Sequence, residues 1–97
     1  MLDEQDRNEA INRLVKDAVA SLRDAKGRME LIREAILSYL RGGYAIGLVP
    51  GEVVDFFCVD TPNIVEEAGY ADAAGDEVAD LFDELHDEVR RAGNGGN

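Results

Sequence analysis

The sequence predicts an all-α domain: a long N-terminal helix, two short central helices, and an acidic C-terminal helix packed on the first. Three observations predict it. From Ile11 to Tyr39, apolar residues recur at steps of four and three through Val15, Ala18, Leu22, Ala25, Met29, Ile32 and Ile36. That is the heptad period of a helix packing along a seam. Val78, Leu81, Phe82, Leu85 and Val89 repeat helical spacing near the other end. Between them, Pro50 and Pro62 stand where helices open, and Gly69 stands where one closes.

Length and composition set the frame. The chain has 97 residues, enough for one modest core. A hydrophobic fraction of 45% suits a folded chain, and the absence of Trp makes the core mainly aliphatic. We expect a single helical domain over 1–93 and a disordered tail over 94–97. No apolar run approaches the ~20 residues that span a bilayer. The opening MLDEQDRNEA is polar and acidic, unlike a secretory leader, and Cys58 has no second cysteine to pair with. A cytoplasmic location is expected.

The first helix has Asp3 as N-cap and acids in its first turn, and Gly42-Gly43 are expected to stop it. Leu14, Val19, Leu31, Ala35, Leu37 and Leu40 widen its seam into a face. Gly27 interrupts it, at about 1 kcal/mol relative to Ala in a helix interior. A continuous helix over 4–41 is preferred, because the seam keeps its phase and no capping residue follows Gly27. The alternative is two helices meeting there. Thirty-eight helical residues would reach ~57 Å, against a diameter of ~35 Å for a compact domain of this size. A continuous helix would therefore overhang and pair with a second copy. Leu22, Met29, Ile32 and Ile36 are the residues expected to carry that self-association.

The next segment, Gly42 to Gly51, reads as a connector. It lacks the spacing of a phosphate-binding loop. For Glu52 to Asp60 a short helix opened by Pro50 is preferred. The alternative is an α+β fold with a hairpin over 44–59, which the β-branched and aromatic content favours. In both, Val53, Phe56, Phe57 and Val59 are core. Asp60 or Thr61 caps a second short helix that opens at Pro62 and ends at Gly69, and Ala71 to Gly75 connect it to the last. That last helix has acids in its first turns, Arg90-Arg91 in its last, and Gly93 as its stop.

Charge is the most informative feature. Twenty-one acids against ten bases give −11. Residues 1–41 hold eight of each sign, whereas Gly42 to Val89 hold thirteen acids and no Lys or Arg. Asp72, Asp76, Glu77, Asp80, Asp83, Glu84, Asp87 and Glu88 place a carboxylate every ~3.2 Å of helix axis. One strand of B-DNA carries a phosphate every ~3.4 Å. A solvated acidic face is the plain reading. Adaptation to high salt is another, but it would acidify every face, and 1–41 are balanced. Like charges at i,i+4 also cost a few tenths of a kcal/mol per pair. A ribbon built to meet a basic surface explains their retention.

Catalytic and metal chemistry find few candidates. His86 is the only histidine and is placed on the surface, off the Val78–Leu81–Leu85–Val89 stripe. Cys58 lies in the apolar run FFCV as inert packing. One His and one Cys fall short of a zinc site, and no calcium loop is present. We expect a non-enzymatic protein without a cofactor or metal.

In size and in the acidic half over 52–88, the chain resembles the small phage-encoded inhibitors of bacterial defence, the anti-CRISPR and DNA-mimic antirestriction proteins. That resemblance implies a stoichiometric inhibitor acting in the cytoplasm of a bacterial host. Its partner would be the basic, nucleic-acid-binding surface of a defence complex, with no direct binding of nucleic acid or membrane. Asp76, Glu77, Asp80, Asp83, Glu84, Asp87 and Glu88 are the candidate contacts. The alternative function is a helical oligomerisation or adaptor protein, such as an antitoxin or phage assembly protein, that works through the N-terminal seam.

Overall fold

Asp3 caps the first helix as expected: its carboxylate accepts the Asp6 amide at 2.9 Å, and α1 runs Glu4–Ala25. The computed structural model describes residues 3–70 and 73–95, and among these the architecture is all-α, without a strand. After α1 come α2 (Met29–Ala45), α3 (Pro50–Val54), a π-helical segment (Asp55–Val59), α4 (Ile64–Glu67) and α5 (Ala73–Gly95). The radius of gyration is 13.0 Å and the extents are 38 × 32 × 20 Å.

The continuous helix over 4–41 does not form. Lys26 turns left-handed (φ 48°) and Gly27 follows at φ 80°, so the chain reverses between α1 and α2. No side chain caps α2; the Arg28 carbonyl simply accepts the Leu31 and Ile32 amides. What fixes the turn lies far along the chain. The Tyr70 hydroxyl donates to the Leu22 carbonyl (2.7 Å) and accepts the Gly27 amide (3.0 Å). One phenol thereby satisfies a carbonyl and an amide that the break leaves without helical partners. The seam keeps its phase because the two halves fold onto each other as an antiparallel hairpin. Ala18, Leu22 and Ala25 are buried on one side, Ile32, Ile36 and Tyr39 on the other. Met29, at the turn, is 46% exposed.

Gly42 and Gly43 do not stop α2, which continues to Ala45, so the helix takes the first residues assigned to the connector. Leucine side chains approach both closely. A Cβ on Gly42 would lie 2.7 Å from Leu14 Cδ1, and one on Gly43 would lie 3.3 Å from Leu48 Cδ1.

Pro50 opens α3, as the helical reading requires, and the hairpin over 44–59 is not formed. Glu52 holds the start of α3, accepting the Val49 amide and pairing with Arg7 at 2.8 Å. These two partners hold its carboxyl below the usual range, the Val49 amide first. The chain then widens into a π-turn, closed by the Asp60 amide on the Asp55 carbonyl at 2.8 Å. That extra residue per turn shifts the facing of the segment. Val53 and Phe57 are fully buried and Phe56 partly, but Val59 is 57% exposed, contrary to its expected core place. The cap of α4 is Asn63, not Asp60 or Thr61: its side chain accepts the Glu66 amide at 2.9 Å. Pro62 precedes α4, which starts at Ile64, instead of opening it, and the Thr61–Pro62 bond is cis. Gly69 ends it, at φ 93°.

Helix α5 packs on α2, the second half of the predicted long helix, and more lightly on α4. Phe82 stacks on Phe57 (4.2 Å between centroids), and Tyr39 tilts against both. The Tyr39 hydroxyl donates to the Val53 carbonyl at 2.7 Å, and burial pushes its pKa up. At Gly75, in the first turn of α5, a Cβ would collide with the Tyr70 carbonyl oxygen, so glycine alone fits there. Gly93 does not end α5, and residues 94–95 of the expected tail are helical. A glycine permits a left-handed cap without compelling one. Ala71 and Asp72 of the expected connector, and residues 96–97, lie outside the described residues.

Candidate interaction surface

The acidic helix divides by side-chain direction. Val78, Phe82 and Leu85 are buried, with Leu81 and Val89 partly so. Asp76, Glu77, Asp80, Asp83, Glu84, Asp87 and Glu88 are all exposed. At 3.6 residues per turn these seven carboxylates fall within an arc of about 140°. Asp72, counted with them in the sequence, lies outside the described residues. Among the described residues two bases reach the ribbon: Arg91 meets Asp87 at 2.7 Å, one turn along, and Arg33 of α2 approaches Glu88 at 3.9 Å. Both pairs are more than half exposed, where such contacts contribute about 0–1 kcal/mol. The ribbon therefore keeps most of its negative field.

The acidity extends beyond α5. Asp55, Asp60, Glu66 and Glu67 are exposed on the preceding segments. Glu66 and Asp76 line a cleft of about 180 Å³ between α4 and α5, with Cys58, Asn63 and Tyr70. Cys58 is half-buried there, with its thiol toward the Val54 carbonyl at 3.7 Å. Burial, then Asp83 and Asp55, push the thiol pKa up, which disfavours the nucleophilic thiolate.

His86 is not the surface residue expected. It is 7% exposed and hydrogen-bonds the Tyr44 hydroxyl through Nε2. Its position was readable in part: four residues after Phe82 and three before Val89, it falls on the flank of the apolar face. The other half of its environment, Tyr44, comes from α2. His86 and Cys58 thus each have a separate neighbour and form no dyad by hydrogen bond. Among the described residues no group of three or more His, Cys, Asp or Glu side chains is arranged to hold a metal ion.

The residues expected to drive self-association divide unevenly. Leu22, Ile32 and Ile36 are buried in the core of a single chain, and only Met29 is exposed. With the break at Lys26–Gly27, the overhang that called for a second copy is gone. No described helix is long and apolar enough to cross a membrane.

No protein-family model, no curated protein and no solved structure matches the chain.

Proposed function

We propose that the protein is a non-enzymatic, stoichiometric inhibitor that presents α5 to the basic, nucleic-acid-binding surface of a host defence complex. The observation that carries the reading is the ribbon: seven exposed carboxylates on one arc of a helix whose other face is locked into the core. A rigid base holds those charges in place before a partner arrives, which lowers the ordering cost of binding. Their spacing along the axis, close to that of phosphates on one DNA strand, suits a groove shaped for nucleic acid. The like-signed field steers a basic partner toward this face and repels nucleic acid itself.

The test is a capture from bacterial lysate, with partner affinity then measured at low and at physiological salt. Parent protein should lose affinity as salt rises. Combined Asp80→Asn, Asp83→Asn, Glu84→Gln and Asp87→Asn should weaken binding at least tenfold at low salt, which is about 1.4 kcal/mol. A captured partner whose affinity ignores both salt and these changes would sink the reading.

A further inference from the structure

His86 is enclosed where α5 crosses the end of α2. Its ring stacks on Tyr44 (centroids 5.9 Å apart, planes at 23°) and tilts against Phe82 at 5.4 Å. Nε2 and the Tyr44 hydroxyl are 2.5 Å apart. The titratable and charged groups acting on it are Asp83, Asp87 and Arg90 on its own helix and the Tyr44 phenol on α2.

We propose that the His86–Tyr44 pair is a proton-sensitive clasp, holding the C-terminal half of α5 on α2 when the imidazole is neutral and loosening when it is protonated. A neutral imidazole has one donor and one acceptor nitrogen, so either tautomer meets a hydroxyl in complementary fashion. An imidazolium donates from both nitrogens. Tyr44 must then accept, and its own hydrogen has to find another acceptor at a helix interface. The new charge is also held among rings and largely out of water.

Some groups pull the other way. Asp83 and Asp87 favour the cation, and the aromatic faces attract it weakly. Burial and then Arg90 oppose it, and the imidazole is held below its ordinary range. Burial raises the Tyr44 phenol, so it stays neutral and offers no compensating charge. The folded state therefore binds this proton less readily than the unfolded chain. The stability this contributes is present above about pH 6.5, the ordinary histidine value. It is lost as pH falls through the lower folded value. Ordinary carboxylates titrate about two units lower, and the chain has a single histidine. Among side chains, the window around neutrality thus reports on His86, whatever α5 binds.

The experiment follows the imidazole by NMR and amide exchange along the full chain, between about pH 7.5 and about pH 5.5. The midpoint should lie below about 6.5. Amide protection over 82–90, corrected for intrinsic exchange, should fall several-fold across the window. His86→Gln should abolish that pH response. Tyr44→Phe, which keeps the ring, should bring protection at the upper pH down toward the parent's value at the lower. If His86→Gln does not fold, Tyr44→Phe decides. An imidazole midpoint at or above the ordinary value would overturn the clasp. So would parent protection that is flat across the window, or a Tyr44→Phe profile equal to the parent's.

Discussion

The helical hairpin α1–α2 and the helix α5 use charge and apolar area in opposite ways. In the hairpin, acids and bases alternate around a seam that the chain consumes internally: Leu22, Ile32, Ile36 and Leu40 are at most 1% exposed. In α5, a similar apolar stripe fastens the helix while the rest of its surface is crowded with one sign of charge. The hairpin's sequence is explained by the fold alone. The ribbon's is not, because interleaved lysines would fold as well and repel less. An element whose composition exceeds what its packing needs is the better place to look for function.

The sharpest way to break this comparison is to charge the hairpin seam. Ile32 is 1% exposed, and Ile32→Asp would place a carboxylate among aliphatic side chains without a partner. The cost should exceed about 4 kcal/mol, most of the stability of a small domain. Circular dichroism and denaturant titration should show loss of the folded state. If this were instead an intermolecular seam, the variant would remain helical and merely dissociate. Sedimentation of a folded Ile32→Asp monomer would therefore restore the self-association role.

A smaller effect sharpens the contrast at the turn. Tyr70→Phe removes one hydroxyl and leaves the Leu22 carbonyl and Gly27 amide without it. The loss should be about 1–3 kcal/mol. It should be local, with faster amide exchange at 22–31 and little change in α5. An unchanged exchange pattern would mean that Lys26 and Gly27 make the break by backbone preference alone.

Tyr70 also explains what the sequence could and could not reveal. The apolar faces of α1, α2 and α5, the two short central helices and the solvent-facing acids are local patterns, written at helical spacing in the residues themselves. The break at Gly27 is held by a phenol 43 residues away, and local spacing carries no trace of it. Gly42-Gly43 read as a stop because the side chains that approach them, Leu14 at Gly42 and Leu48 at Gly43, come from elsewhere in the fold. Val59 departs from its expected core place because one π-turn rotates the register that a 3.6-residue period assumes. His86 was half legible: its spacing from Phe82 and Val89 was visible, its Tyr44 partner was not.

The smallest expected effect is the most telling about the ribbon. Asp80, Asp83, Glu84 and Asp87 lie in the middle of α5, beyond the first turn where acids favour the helix dipole. They repel one another and their neighbours at i,i+3 and i,i+4, at a few tenths of a kcal/mol per pair. Neutralising all four to Asn or Gln conserves volume and removes those terms. It forfeits the Asp87–Arg91 contact, which is exposed and contributes little. Thermal or urea unfolding should therefore show stability unchanged or higher by up to about 1 kcal/mol, falling off with added salt as screening does the same work in the parent. Removing Asp83 and Asp87 also takes away the two groups that favour a charged His86, so its imidazole midpoint should drop further. A variant less stable than its parent by more than about 1 kcal/mol would mean that these carboxylates serve the fold. The difference between α5 and the hairpin would then vanish.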